Sequence, residues 1–159
     1  MPKNADTPTA RDSELVARLQ AAGYRLTPQR LALVHLLARD ETHPSADQVF
    51  ARLRAEYPTI SLATVYNTLD MLVDLGEALT LDLHEGCTRY DVRRPAAHPH
   101  VVCRTCGRVA DLEVDGLTDF VDAARAVSTF GDLQPRIYFD GLCPTCNASS
   151  GQPAEARGA

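Results

Sequence analysis

The sequence lacks the features that place a protein in a membrane or mark it for export. It has no run of about eighteen apolar residues, so no transmembrane helix and no membrane partner are predicted. Residues 1–14 hold no apolar stretch, so no secretory signal is visible and a cytoplasmic location is expected. The net charge of −5 argues against a protein that coats nucleic acid nonspecifically. Sequence-specific DNA binding stays open, because it needs only a local basic surface.

What the sequence does contain is typical of a globular protein with metal or redox ligands. Its 159 residues, 45% hydrophobic and 23% charged, suit one ordinary domain or two small ones. Five cysteines in a reducing compartment indicate metal or redox ligands rather than a disulfide framework.

Four short helices are predicted in the first half of the chain. Leu15, Val16 and Leu19 recur at helical spacing before Gly23. Three further helix starts are Thr27 with Pro28, the capping box of Ser45 with Gln48, and Ser61. The third helix is expected to end at Tyr57, before Pro58, and the fourth at Gly76. Two strands at 77–83 and 88–92, with a turn at 84–86, complete a winged helix-turn-helix.

The second half of the chain predicts a small α/β unit, so the fold class is α+β. Strands are expected near 100–104, 108–112 and 136–139, with a helix near 117–128. The predicted organisation is a winged-helix DNA-binding domain at 10–92, a hinge at 93–97 and a second domain at 98–147. Residues 1–9 and 148–159 are expected to be disordered.

Two CxxC pairs lie at opposite ends of this second unit. Cys103 with Cys106 and Cys143 with Cys146 can supply four thiolates, which suits a tetrahedral structural zinc. Such a site has no open position for water, so catalysis by it is not expected and the protein is not predicted to be an enzyme. Two other classes stay open. One is a thiol oxidoreductase, which normally has a single CxxC opening a helix, and the other is a zinc-dependent interaction module.

Histidines and aspartates form a second candidate site. His98 and His100 face the same side of an extended strand, and Asp111 on the next strand can reach them. His43 and Asp91 could complete a set that suits Fe²⁺ or Mn²⁺. Spacing alone leaves this set undecided, because a histidine before a helix or an aspartate at a strand end is usually an ordinary surface residue. Cys87 is unpaired and has no assigned role.

The helix that begins after Ser61 is the candidate DNA-reading element. Thr64, Tyr66 and Asn67 can offer hydrogen bonds or methyl contacts to base edges in a major groove. The alternative is a polar face in contact with solvent. Because this helix has no lysine or arginine, phosphate contacts are assigned elsewhere. The candidates are Arg18, Arg25, Arg30, Arg52 and Arg54.

These motifs together resemble the Fur family of metal-dependent transcriptional regulators. The matching stretches are YRLTPQR, HPSADQVFARL, ISLATVYNTLDMLVDLG, RYD, HPHVVCRTCGRVADL and GLCPTC, between Tyr24 and Cys146. The resemblance implies a winged helix, a C-terminal dimerisation domain, and a homodimeric repressor of a palindromic double-stranded DNA operator with no small-molecule substrate. It also implies a structural zinc on the four cysteines named above. A regulatory Fe²⁺ or Mn²⁺ would be bound by His43, Asp91, His98, His100 and Asp111.

Within that family the chain is most similar to the peroxide-sensing PerR branch. Three histidines and two aspartates at the regulatory positions are typical of that branch, as is Asn67 in the run ATVYN. An iron- or manganese-uptake regulator without peroxide sensing is the alternative. A zinc-uptake regulator is less favoured, because Cys87 lies four residues before the position where that branch has a cysteine. The segment between Asp91 and His98 is one residue longer than in PerR, a departure that bears on the placement of Asp91.

Overall fold

The computed structural model describes residues 9–83 and 86–149, and these fold as two compact units. One unit ends at Ala96 and the other begins at Ala97. The predictions of disorder at 1–8 and 150–159, and of the wing turn at 84–85, fall outside the described residues. Disorder at Thr9 and at 148–149 was predicted wrongly, since Thr9 caps the first helix and 148–149 end the last one. None of the described helices is long and apolar enough to cross a membrane.

Four helices begin where the local sequence signals predict. They are α1 (Ala10–Ala21), α2 (Pro28–Arg39), α3 (Ala46–Leu53) and α4 (Leu62–Asp74). In each case the side chain of the preceding Ser or Thr accepts a hydrogen bond from a first-turn backbone N–H. This confirms the caps predicted at Thr27, Ser45 and Ser61, whereas the cap at Thr9 was not predicted. At the end of α1, Gly23 has φ +82 and its N–H donates to Gln20, as Tyr24 does to Leu19. This Schellman arrangement requires the left-handed conformation that glycine adopts at no steric cost.

The predicted end of α3 is wrong. The helix ends at Leu53, and residues 54–56 form turns before Pro58. The carbonyl of Leu53 accepts from the amides of both Glu56 and Tyr57, so the chain tightens and leaves the helix before the proline restricts it.

The buried face of α2 is broad, and that of α4 includes a polar residue. Leu33 of α2 is fully buried, whereas Leu31 and His35 are half-buried, because α2 contacts three other helices and so buries a wide arc. In α4, Thr68 and Met71 are buried and Leu62 is only half-buried. Thr68 is tolerated there because its hydroxyl donates to the Thr64 carbonyl at 2.7 Å.

The wing is an antiparallel hairpin of β1 (Leu79–Leu83) and β2 (Cys87–Asp91), with register from Leu79↔Asp91 to Leu83↔Cys87. The N-terminal core lies among the four helices and the end of this hairpin. Its fully buried members include Leu15, Leu19, Leu33, Val34, Val49, Val65, Leu69 and Leu72. Full burial of such a side chain is worth about 1.5–3 kcal/mol, so packing is what holds these short helices together.

The second unit is a three-stranded sheet with helix α5 (Leu117–Val127) and a short helix α6 (Pro144–Ser149). Its strands are β3 (His100–Cys103), β4 (Val109–Asp111) and β5 (Tyr138–Gly141), in the order β4-β3-β5. β3 pairs antiparallel with β4 and parallel with β5. The last strand lies two residues later than predicted, because the register pairs His100 with Tyr138 and Cys103 with Gly141.

This unit has a small core of its own. Its buried apolar side chains are Val102, Cys103 and Val109, and none of the residues of α5 is buried. Large apolar side chains are instead exposed on its surface: Val114, Phe120, Val127, Phe130 and Phe139. A unit with so little buried apolar surface needs another source of stability, such as a structural metal or a partner chain.

Candidate metal centres and nucleic-acid interface

The four predicted zinc ligands converge in the second unit. Cys103 ends β3 and Cys106 closes the following turn, where Gly107 has φ +67 and its N–H donates to the Cys103 carbonyl at 2.8 Å. Cys143 directly precedes α6, and Cys146 is the third residue of that helix. The four sulfur atoms lie within 4.8 Å of one another. The sulfurs of Cys106 and Cys143 are 3.7 Å apart, close to the edge of about 3.8 Å that follows from tetrahedral Zn–S bonds of about 2.3 Å. The cluster therefore fits zinc.

Backbone amides favour the thiolate form at two of these cysteines. The Cys143 N–H donates to the Cys103 sulfur at 3.3 Å. This bond, with the amides of Cys106 and Thr105, lowers the pKa of Cys103 to about 6. The Cys146 amide likewise lowers the pKa of Cys143. Hydrogen bonds with the side chains of Cys143 and then Cys106 raise the pKa of Cys146 to about 12. The backbone amides of the two CxxC segments thus stabilise negative charge on sulfur, and the thiolate is the form in which cysteine binds metal.

In the N-terminal unit, His43 and Asp91 face each other. Both side chains are 2% exposed, and His43 Nε2 lies 3.7 Å from Asp91 Oδ2. His43 has φ +51, an uncommon conformation for a residue other than glycine, and its side chain lies against Asp91 at the end of the wing. The other carboxylate oxygen of Asp91 accepts the Arg94 N–H at 3.1 Å. The imidazole and one carboxylate oxygen are thereby aimed at the same point.

Backbone pairing holds this pair in place. Ser45 forms an isolated antiparallel bridge with Arg89, and the Tyr90 N–H donates to the Pro44 carbonyl at 3.2 Å. Gln48 Oε1 accepts from the Ser45 N–H at 2.9 Å and from Arg89 Nη1 at 3.4 Å. The segment after His43 therefore runs as a partial third strand beside the segment before Asp91, and the capping box of α3 fixes its end.

In the second unit, Asp111 lies between two histidines. Its Oδ1 is 3.2 Å from His98 Nε2 and 3.7 Å from His100 Nε2. The two imidazole rings are 4.3 Å apart between centroids, and both are buried. His100 and Asp111 are cross-strand partners, and the His100 N–H donates to Ile137. The sheet thus places His100 beside Asp111, and His98 joins them from the segment just before β3.

The donor chemistry of the two His/Asp groups suits a transition metal. Imidazole nitrogen binds Fe²⁺, Mn²⁺ and Zn²⁺. Carboxylate oxygen favours Mn²⁺ and Fe²⁺ over metal ions that prefer softer ligands such as thiolate. Each group already holds its nitrogen and oxygen donors 3–4 Å apart, as ligands of one ion require. Among the described residues, Cys87 joins neither these groups nor the cysteine cluster.

The residues predicted to read bases lie in the first turns of α4. Ser61 Oγ and Thr64 Oγ1 are 2.8 Å apart and hydrogen-bond to each other, so these hydroxyls also serve the helix cap. Tyr66 is 42% exposed and Asn67 is exposed as well. Tyr66 and Asn67 are therefore the members of the set that project from the helix.

The predicted phosphate-binding arginines have different surroundings. Arg25 is exposed. Arg30 donates to the Arg25 carbonyl at 3.0 Å, Arg52 pairs with Asp40, and Arg54 lies 5.9 Å above the Phe50 ring. Arg18 is instead held within its own unit: its Nη1 lies 2.6 Å from Glu77 Oε1, and the Glu77 side chain is only 3% exposed.

Sequence reasoning missed two buried acids and the arginines that neutralise them. Asp12 is fully buried, and Arg39 donates to its Oδ2 at 2.8 Å. Burial alone would raise the pKa of Asp12, but hydrogen bonds from Arg39 and Thr9 outweigh it and lower that pKa. Glu77 is buried between Arg11 and Arg18. Asp12 could have been found from its spacing, since it lies three and seven residues before Leu15 and Leu19 on the buried face of α1.

Comparison with known proteins matches this chain to one family. The sequence profile of the ferric uptake regulator family matches residues 21–137. The peroxide-responsive repressor PerR of Staphylococcus aureus (strain USA300) is 33% identical over 133 residues, covering 84% of this chain and 89% of that protein.

Two solved structures are similar in fold. PerR from Streptococcus pyogenes is 30% identical with a TM-score of 0.51, covering 88% of this chain and 95% of that one. The ferric uptake regulator of Helicobacter pylori, described as having three functional metal-binding sites, has a TM-score of 0.70. It covers 92% of this chain and 97% of its own but is 19% identical, so it supports the fold alone.

Proposed function

Because the chain belongs to the ferric uptake regulator family, we propose that it is a metal-dependent repressor that senses peroxide through its regulatory ligands. Regulators of this family act on transcription by binding DNA and are not a class of enzyme. The 33% identity with a peroxide-responsive repressor supports the peroxide-sensing reading. The observation that carries the proposal is chemical: both carboxylates of the candidate site are aspartates, and each faces a buried histidine.

The proposed regulatory ligands are the two His/Asp groups described above. We assign His43 and Asp91, with His98, His100 and Asp111, to one Fe²⁺ or Mn²⁺ ion. The pairs in each unit are already in position, so ion binding needs little reordering of the ligands themselves. We assign Zn²⁺ to the four cysteines, where its role is to hold the second unit folded.

Metal dependence follows from where these ligands lie in the chain. An ion bound by ligands of both units favours one arrangement of the DNA-binding unit over others. It promotes DNA binding to the extent that it binds this arrangement more tightly than the rest. Without the ion, the reading helix α4 remains folded but loses that bias.

Peroxide sensing depends on which ion is bound. Bound by these residues, Fe²⁺ would supply the redox chemistry that activates peroxide and Mn²⁺ would not, whereas both electrons of the net reaction come from the imidazole. In the net reaction an imidazole carbon of His43 or His98 gains one peroxide oxygen and loses two electrons, while the other oxygen leaves as water. An oxidised imidazole is a poorer ligand, so the metal and then the DNA are released.

The proposed partners are a second copy of the chain and a palindromic operator. The exposed apolar side chains of the second unit, among them Phe120 at 68% and Val127 at 84% exposure, support a homodimer. A two-fold dimer presents two copies of α4, which matches two half-sites in a palindrome.

The first experiment is a footprint on the DNA upstream of the protein's own gene. It is run with the zinc-loaded protein alone, then with Mn²⁺, Fe²⁺, excess Zn²⁺ or chelator. We expect protection with Mn²⁺ and with anaerobic Fe²⁺, and none without added metal. Protection that is independent of metal would contradict the proposal, and protection by excess Zn²⁺ alone would favour a zinc-uptake regulator.

The second experiment separates peroxide sensing from metal sensing. The Fe²⁺ and Mn²⁺ forms are exposed to hydrogen peroxide, digested and analysed by mass spectrometry. We expect one added oxygen on a peptide containing His43 or His98 in the Fe²⁺ form only, together with loss of the footprint. Unmodified histidines and an unchanged footprint would leave an iron- or manganese-uptake regulator as the function.

A further inference from the structure

The side chain of Arg11 joins three parts of the N-terminal unit that are distant in sequence. It projects from α1 and is only 14% exposed. Its Nη1 donates to Glu77 Oε2 at 2.8 Å and its Nη2 to the Glu77 carbonyl at 3.0 Å. Its Nε donates to the carbonyl of Val92 at 3.0 Å. One guanidinium therefore links α1 to Glu77, two residues after the C-cap of α4, and to Val92 at the end of the wing.

The bond to Val92 acts directly beside the candidate ligand Asp91. Val92 is 1% exposed and is the next residue in the chain. On the other side of Asp91, the Tyr90 N–H is bonded to Pro44. The Asp91 side chain itself accepts the Arg94 N–H. The backbone is thus held on both sides of the ligand, and Arg11 provides the hold on the C-terminal side.

This task needs an arginine. The planar guanidinium offers donors in fixed directions, so it can bond a carboxylate and two carbonyls at once. A lysine could still pair with the buried Glu77 but could not reach Val92 in the same geometry. Arg18 provides a contrast within the same cluster, because it pairs with the other oxygen of Glu77 at 2.6 Å and has no bond to Val92.

We propose that Arg11 is a positioning residue for the regulatory metal site: by fixing the Val92 carbonyl it holds the Asp91 carboxylate facing His43. This inference rests on the proposed function, since it takes Asp91 as a metal ligand. Arg11 lies before residue 21, where the match to the family profile begins. The N-terminal helix thereby acts on metal affinity and not only on the packing of the unit.

The test compares Arg11→Lys with Arg18→Gln in the zinc-loaded, full-length protein. Arg11→Lys keeps a positive charge for Glu77 and removes the bond to Val92, whereas Arg18→Gln removes charge from Glu77 and leaves that bond intact. Mn²⁺ affinity is measured by the electron paramagnetic resonance signal of free Mn²⁺. We expect Arg11→Lys to weaken binding about 10-fold, the lower end for residues that orient ligands, and Arg18→Gln to change it less than 2-fold (about 0.4 kcal/mol).

Two further measurements distinguish positioning from general destabilisation. Amide hydrogen exchange of Arg94, whose N–H is bonded to Asp91, is followed without Mn²⁺, and it should speed up in Arg11→Lys but not in Arg18→Gln. In an Asp91→Ala background, Arg11→Lys should cause no further loss of Mn²⁺ affinity, because the ligand it positions is gone. Zinc content should stay at one per chain in every variant.

The outcomes separate this inference from the proposed function. If Asp91→Ala leaves Mn²⁺ affinity unchanged, Asp91 is not a ligand and both proposals fail. If Asp91→Ala weakens binding but Arg11→Lys does not, or if Arg11→Lys and Arg18→Gln weaken it equally, the proposed function stands and the role of Arg11 is overturned. A loss caused by Arg11→Lys that persists in the Asp91→Ala background would also overturn it.

Discussion

Some charged residues of the N-terminal unit neutralise buried charges, whereas others are exposed and available to bind a ligand. Glu77 and Asp12 are buried acids, and their arginine partners come from other elements. Removing one partner of such a pair is costly, because it leaves a charge with less compensation. Arginines that pair with these acids contribute mainly to the stability of the folded unit. This distinction changes how the predicted phosphate contacts are ranked.

Arg18 and Arg25 provide a test at this scale. Arg25 is exposed, whereas the guanidinium of Arg18 is engaged by the buried Glu77. We expect Arg25→Gln to weaken operator binding and to reduce the slope of log K against log salt by about 1, the value for one phosphate contact. Arg18→Gln should leave that slope unchanged and lower the free energy of unfolding by about 1 kcal/mol, since Arg18 is largely exposed and Arg11 still neutralises Glu77.

Salt-dependent binding titrations and urea unfolding of the zinc-loaded protein measure the two effects. Wild-type protein and Arg54→Gln, another exposed arginine of the predicted set, complete the series. A slope that falls by about 1 for Arg18→Gln would assign that residue to a phosphate instead.

At the scale of helices and strands, the sequence predicts where helices begin better than where they end. The caps at Thr27, Ser45 and Ser61 were predictable because a cap is a local hydrogen bond between residues three apart. The end of α3 and the position of β5 were not. They depend on how Leu53 shares its carbonyl and on which residue of β3 pairs with Tyr138. The pairing of β3 with Tyr138 joins distant segments and leaves no local pattern, whereas the end of α3 is a local turn at Leu53 that the signal of Pro58 obscured.

The candidate sites divide in the same way. The cysteine pairs were predictable because their spacing determines a turn, and His98 and His100 were predictable as neighbours two residues apart, although β3 begins only at His100. That Asp91 faces His43 could be expected only from the family resemblance, since the two are separated by two helices and a hairpin. Arg11 was missed because its partner Glu77 is 66 positions away, and no spacing rule covers such a distance.

The two CxxC pairs of the second unit lead to a prediction about zinc. Because the unit buries few apolar side chains, we expect Cys146→Ser to reduce bound zinc well below one per chain and to unfold this unit. Cys87→Ser should keep one zinc and unfold at the wild-type temperature, since Cys87 is in the wing and outside the cysteine cluster. Metal analysis after dialysis and thermal unfolding by circular dichroism measure this. Full zinc content in Cys146→Ser would mean that the fourth cysteine is not a ligand.

At the scale of the whole molecule, the two units differ in how many apolar side chains they expose. The N-terminal unit encloses its apolar residues among four helices, and Tyr66 is its one large apolar side chain left exposed within the described residues. The second unit exposes Phe120, Val127, Phe130 and Phe139. Water-exposed apolar side chains of this number are unfavourable in a monomer. A DNA-binding unit with a closed core, attached to a unit with an open apolar surface, is the division expected of a dimeric repressor.

The apolar face of α5 provides the test of that dimer. Phe120 and Val127 are seven residues apart and so lie on the same side of the helix, both exposed. We expect the double variant Phe120→Glu with Val127→Glu to raise the dimer dissociation constant at least about 100-fold, since each buried apolar side chain contributes about 1.5–3 kcal/mol. Sedimentation velocity over a range of protein concentrations measures this. Operator affinity should fall with it, because one copy of α4 then reaches only one half-site.

The matched control adds a charge to the opposite face of the same helix. Thr118→Glu is exposed and lies about 160° around α5 from Phe120, so it should sediment as the wild-type protein does and retain operator affinity. Zinc content of all variants confirms that the second unit is folded. A double variant that remains dimeric at the lowest concentration would place the interface on a different face of the unit, leaving Phe120 and Val127 for another partner.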